Sequence, residues 1–153
     1  RRQRQMCIRD SFCFFLPETA KDFDFTRFDY VVDAIDTVSG KIEIILQAKK
    51  AEVPVISCMG AGNKLDPTAF VVTDIYKTSV CPLARVMRQK LKKLGVQDLK
   101  VVYSTEKAMK PNYPPDMPPQ RKVAPGSVAF VPSVAGIIAG GEVIKDLIGY
   151  SNN

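Results

Sequence analysis

A chain of 153 residues is one domain or part of one, since domains cluster near ~100 to 150 residues. Hydrophobic content of 46% and charged content of 25% exclude a disordered, collagen-like or coiled-coil protein, and the lack of any histidine excludes imidazole-driven nucleophilic catalysis and imidazole zinc sites within this chain. The formal charge of +6 is a weak pointer to nucleic acid, because Arg1, Arg2, Arg4 and Arg9 against Asp10 supply three of those charges.

Residues 1–11 read as a non-native, adapter-like segment and are set aside, which leaves 12–150 as the folding unit. Met6 to Phe15 is interrupted by Arg9, Asp10 and Ser11, so it lacks the apolar core of a signal peptide. Tyr30 to Ile35 reads as a buried strand, Gly40 to Ala51 as an amphipathic helix and Pro54 to Met59 as a second buried strand. The helix places Ile42, Ile45 and Leu46 on its inner face and Lys41, Glu43, Lys49 and Lys50 elsewhere. Strand, helix and strand with short links imply a right-handed crossover and parallel pairing.

Ala69 to Thr73 is rich in β-formers. Pro82 to Leu94 is a helix with Leu83, Val86, Met87, Leu91 and Leu94 on its apolar side, started by Pro82 and stopped by Gly95. Leu99 to Tyr103 makes a further strand. From 107 to 125 six prolines forbid regular structure. Pro132 to Ile148 closes the chain as a helix with Val134, Ile137, Ile138, Ile144, Leu147 and Ile148 inward, and Gly136, Gly140 and Gly141 suggest a very close neighbour. Val123 to Gly141 is broken by Pro125, Pro132 and glycines, so it falls short of the ~20 apolar residues of a membrane span.

Four places carry chemistry. Asp36 follows the first strand, where open α/β sheets bind ligands; it either holds the Mg²⁺ of a bound nucleotide or caps the next helix. Gly60-Ala61-Gly62-Asn63 is either a phosphate turn or a plain turn leading to Asp66-Pro67-Thr68. Arg85, Arg88 and Lys92 form one basic stripe that either tracks nucleic-acid phosphates or is a solvated face. Of the cysteines Cys7, Cys13, Cys58 and Cys81, none forms a CxxC pair, so no zinc knuckle is expected; Cys81 before a helix is either reactive or structural.

Tyr30-Val31-Val32-Asp33-Ala34-Ile35-Asp36-Thr37, Gly60-Ala61-Gly62 with Asp66-Pro67-Thr68, then Thr73-Asp74, Lys77-Thr78, Pro82-Leu83-Ala84 with Arg88, and Ser104-Thr105-Glu106 form an ordered series. That series resembles the tRNA threonylcarbamoyladenosine dehydratases of the ThiF/MoeB/HesA superfamily, from Cys13 to Gly149. The resemblance implies an α/β fold, the C-terminal part of a ThiF-type Rossmann-like domain with a mostly parallel sheet flanked by helices. It implies ATP and Mg²⁺ as cofactors, with Asp36 serving Mg-ATP and Lys41 near the nucleotide, and tRNA as partner, positioned by Arg88, with which Arg85 and Lys92 share the basic stripe. Activation of the threonylcarbamoyl carboxylate by ATP, ring closure and loss of water are the implied chemistry.

A cytoplasmic homodimer with sulfur-transfer partner proteins completes the expectation. The glycine-rich strand-turn-helix that opens the family has no counterpart before Cys13, so the chain reads as N-terminally truncated and nearly inactive alone. Val123-Ala124-Pro125-Gly126 also lacks the cysteine that some relatives carry before the last helix. Two other readings stay open: adenylation of a sulfur-carrier protein's C-terminus, which Asp36 would serve equally, and a non-catalytic binding module.

Overall fold

In the computed structural model, residues 15–110 and 125–150 are described. The stretch 1–11, Cys7, Cys13 and residues 111–124 of the proline-rich connection lie outside them. Four strands form where the apolar runs predict them: β1 Val31–Asp33, β2 Val55–Cys58, β3 Phe70–Asp74 and β4 Lys100–Ser104. They order β1-β2-β4-β3 in one sheet. β1, β2 and β4 run parallel, with Asp33 opposite Ser57 and Cys58 opposite Val102. β3 joins antiparallel to β4, Phe70 opposite Ser104. The mostly parallel sheet expected from the crossovers is therefore present, with one antiparallel edge strand.

Three helices cover it: α1 Val38–Lys50, α2 Pro82–Lys93 and α3 Phe130–Leu147. Alternation along the strands sorts the core into two layers. Val55, Val101 and Tyr103 meet Ile44, Ile45 and Ala48 of α1 and Ala84, Met87 and Leu91 of α2. Ile56, Val102 and Phe70 meet Val131, Ala135 and Ala139 of α3 on the opposite face. β2 is buried on both faces because it is covered on both. Each of the fully buried Ile45, Met87 and Leu91 contributes about 1.5–3 kcal/mol by leaving water.

Helix ends follow backbone chemistry. α2 stops as expected at Gly95, which takes φ 76 while the Val96 N–H reaches back to Leu91 O at 3.1 Å. β1 ends early because the Asp33 carboxylate accepts the Ile35 N–H at 3.3 Å and turns the chain.

Four expectations need correction. β1 is an edge strand among the described residues, and Val32 is exposed. Lys41, assigned to the outer face of α1, is buried at 1% exposure. Val86 and Leu94 stay exposed, so Ala84, Met87 and Leu91, with partly buried Leu83 beside them, carry the inner face of α2.

The fourth concerns α3, which turns Val131, Ala135 and Ala139 inward, while Ile137, Ile144, Leu147 and Ile148 are all exposed. Small residues at every fourth position let the helix sit close on bulky Ile56, Phe70 and Val102. Gly136, Gly140 and Gly141 have no described neighbour within 4 Å of an added Cβ, so they do not serve a close approach among the described residues.

At the end of the sheet where β1 and β4 begin, Lys100 Nζ donates to Asp146 Oδ1 at 2.6 Å and Tyr30 Oη donates to Asp146 Oδ2 at 2.6 Å. These bonds tie the last turn of α3 to the strand starts. The Lys100 bond, then the Tyr30 bond, hold the Asp146 carboxyl below the usual range. Burial, then Asp146, pushes the Tyr30 phenol up, so it stays a donor.

Candidate functional site

The carboxyl ends of β1 and β2 open on one rim, as the crevice rule for parallel sheets requires. A cavity of about 170 Å³ lies there. Its floor is Cys58 to Ala61 after β2, one wall is Ala34 to Asp36 after β1, and Leu83 opens α2 beside it. Pro132, Ala135 and Gly136 of α3 close the other side. The sequence reading placed Asp36 in this crevice, and that is where it lies.

Thr37 is the residue that caps α1, without a side-chain bond, so Asp36 is not held as a helix cap. Among the described residues Asp36 has no hydrogen-bond or ion-pair partner. An exposed, uncommitted carboxylate at the mouth of a cavity suits Mg²⁺, which takes one or two carboxylates and completes its shell with phosphate oxygens and water. No three histidine, cysteine or acidic side chains converge among the described residues, so any ion here would share its ligands with a bound anion.

Lys41 reaches the same cavity from below. Its Nζ donates to Asp33 Oδ2 at 3.1 Å and to Cys58 O at 2.7 Å, and Ser57 Oγ donates to that same Asp33 oxygen. Asp33, Lys41 and Ser57 are each at most 1% exposed. The geometry couples the ends of β1 and β2 through α1, and it follows from the register that sets Asp33 beside Ser57. Sequence reasoning singled out Lys41 but missed Asp33 and Ser57 as its partners. Position 41 lies four before Ile45 and seven before Ala48, and this phase was the signal that it faces inward.

Gly60 and Ala61 of the glycine turn line the cavity floor, and Gly62 has a packing role that neither reading of the turn foresaw. A Cβ on Gly62 would stand 2.6 Å from Pro125 Cβ, so glycine there permits a close chain approach. Asp66 then caps a 3-10 turn at Pro67–Ala69, its Oδ1 accepting the Thr68 N–H at 2.8 Å. Lys64 was not foreseen as buried; at 3% exposure it donates to Ser104 O at 3.1 Å, and burial pushes its pKa down.

The basic stripe on α2 splits. Arg85 and Lys92 are exposed and have no ion-pair partner among the described residues. Arg88 is half-buried, its Nη1 donating to Thr78 O at 2.9 Å and to Thr78 Oγ1, which pins the loop entering the helix. Both arginines border a shallow cavity of about 580 Å³ at the start of α2. Cys81, in the same loop, is buried at 3%. Cys58 is half-buried, and burial pushes its thiol up, with Lys41 opposing.

No family model matches the chain. It is 42% identical over 144 residues to the tRNA threonylcarbamoyladenosine dehydratase of Bacillus subtilis, covering 88% of this chain and 57% of that protein. Against the Escherichia coli enzyme of that name it is 35% identical over 109 residues, covering 64% of this chain and 40% of the other. The crystal structure of E. coli tRNA N6-threonylcarbamoyladenosine dehydratase in complex with ATP superposes with a TM-score of 0.77 at 27% identity, covering 91% of this chain and 56% of that one. The same protein in complex with AMP gives 0.76. The chain thus spans about half the length of the relatives it matches.

Proposed function

Given a chain that is a homologue of the tRNA threonylcarbamoyladenosine dehydratases, with their ThiF-type α/β fold, we propose that its complete gene product uses Mg-ATP to dehydrate threonylcarbamoyladenosine in tRNA to the cyclic form. The observation that carries this is the uncommitted carboxylate of Asp36 at the mouth of the rim cavity, in a fold shared with a solved relative in complex with ATP.

A carboxylate oxygen leaves poorly. Attack of the threonylcarbamoyl carboxylate on the α-phosphorus of ATP forms an acyl adenylate and releases pyrophosphate; internal attack on the activated carbonyl then closes the ring and expels AMP. Mg²⁺, when bound, neutralises phosphate charge during the first step. Asp36 is the residue that would hold that ion. Lys41, its charge committed to Asp33 and Cys58 O, would line the nucleotide's site from within the protein.

Arg85 and Lys92 supply phosphate contacts for tRNA, and Arg88 shapes the loop beside them. A homodimer belongs to the same reading, supported by the aliphatic residues that α3 turns outward. So does a cytoplasmic location, where tRNA is found; no helix among the described residues is long and apolar enough to cross a membrane. Sulfur-transfer proteins stay a partner class of this reading, although buried Cys81 and half-buried Cys58 are poorly placed to receive sulfur.

The test is Asp36→Ala in the complete gene product, assayed with threonylcarbamoyl-modified tRNA and Mg-ATP. Loss of dehydration with an unchanged circular-dichroism spectrum is expected; retained activity would remove Asp36 from the metal site. Adenylation of a carrier protein in place of tRNA dehydration by the unmutated protein would overturn the reading itself.

A further inference from the structure

We infer that Asn63 is a positioning residue for the nucleotide pocket, acting through Gly126 on the helix that forms its far wall. The inference rests on reading the rim cavity as that pocket.

Asn63 sits at φ 57, a left-handed conformation that asparagine adopts more readily than other non-glycine residues. From there its N–H donates to Gly126 O at 2.8 Å and its Oδ1 accepts the Gly126 N–H at 2.7 Å. Its own carbonyl accepts the Met109 N–H at 2.7 Å. One residue therefore holds the chain on both sides of the proline-rich connection. Two bonds to a single residue fix direction as well as distance, which the main chain of Asn63 alone would not do.

Downstream of Gly126 the chain enters α3 at Phe130, and its first turns carry Pro132, Ala135 and Gly136 to the cavity. Upstream of Asn63, Gly60 and Ala61 form the floor of that cavity. The Asn63–Gly126 pair is thus the strut between floor and wall. Close fit at Gly62 against Pro125 leaves the strut little slack. Removing the Oδ1 acceptor halves the pairing, so Gly126 is tied to Asn63 by one bond and the spacing of the two walls loosens.

The experiment uses two variants of the complete gene product. Asn63→Gly keeps the left-handed conformation and deletes the acceptor, and Asn63→Asp keeps both. Steady-state dehydration of modified tRNA is measured against Mg-ATP concentration, with melting curves as the folding control. Asn63→Gly should raise the KM for ATP by about fivefold, the worth of one hydrogen bond, with kcat changed much less and a melting midpoint near wild type. Asn63→Asp should restore the wild-type KM.

An unchanged KM in Asn63→Gly, or equal losses in kcat and KM that track a lowered melting point, would overturn the positioning role while leaving the pocket reading intact. Failure of Asn63→Asp to restore the KM would overturn it too. Wild-type turnover that does not depend on ATP would instead overturn the pocket reading, and this inference with it.

Discussion

Buried charge decides what Lys41 and Asp33 can do. With both side chains at most 1% exposed, each is tolerable only beside the other, and removing one leaves a buried charge without water or counter-charge. Lys41→Met should cost about 3–5 kcal/mol in urea unfolding, and pairing it with Asp33→Leu should recover much of that loss. A single variant as stable as wild type would show that the pair is not buried in solution. This residue-scale feature was half legible. The spacing from Asp33 to Asp36 marks the rim, but the partner of Lys41 depends on register between β1 and β2, which no local pattern encodes.

At the scale of elements, the strand-helix-strand alternation and the Pro82 and Gly95 boundaries were readable, because backbone chemistry at helix ends is local. The rotation of α3 was not. Both of its faces are apolar, so periodicity gave its length without its phase, and the larger side chains were taken as the core. The small stripe won because Ile56, Phe70 and Val102 already fill the space beneath it. Ala135→Leu should therefore destabilise by about 1–3 kcal/mol through overpacking, whereas Ile137→Ala, at 73% exposure within one chain, should change the thermal stability of the monomeric form by less than about 0.5 kcal/mol. The reverse order would return the large aliphatics to the interior.

The tie between α3 and the strand starts also makes a pH signature. Asp146 has its carboxyl held low in the folded state, so its contribution to stability is present above the ordinary aspartate value of about 3.9 and is lost as pH falls through and below it. Asp146→Asn should be less stable than wild type at neutral pH, with the gap closing in acid; urea titrations at both ends of that range measure it. A gap that stays constant would assign the loss to packing.

For the whole molecule, charge matters less as a sum than as a distribution. Of the exposed cations of α2, Arg85 borders a shallow cavity, and neither Arg85 nor Lys92 has an acidic partner among the described residues. In the complete gene product, Arg85→Ala with Lys92→Ala should weaken tRNA binding and reduce the slope of log affinity against log salt by roughly 1 to 2. An unchanged slope would make this an ordinary solvated face. Substituting Arg88 would be a poorer probe, since its bonds to Thr78 mix folding with binding.

Met109 and Gly126 meet on Asn63, so the chain re-enters the fold where it leaves it. The spacing of these two ends is thus set within the described fold by a single asparagine, and a substitution there reaches both ends at once.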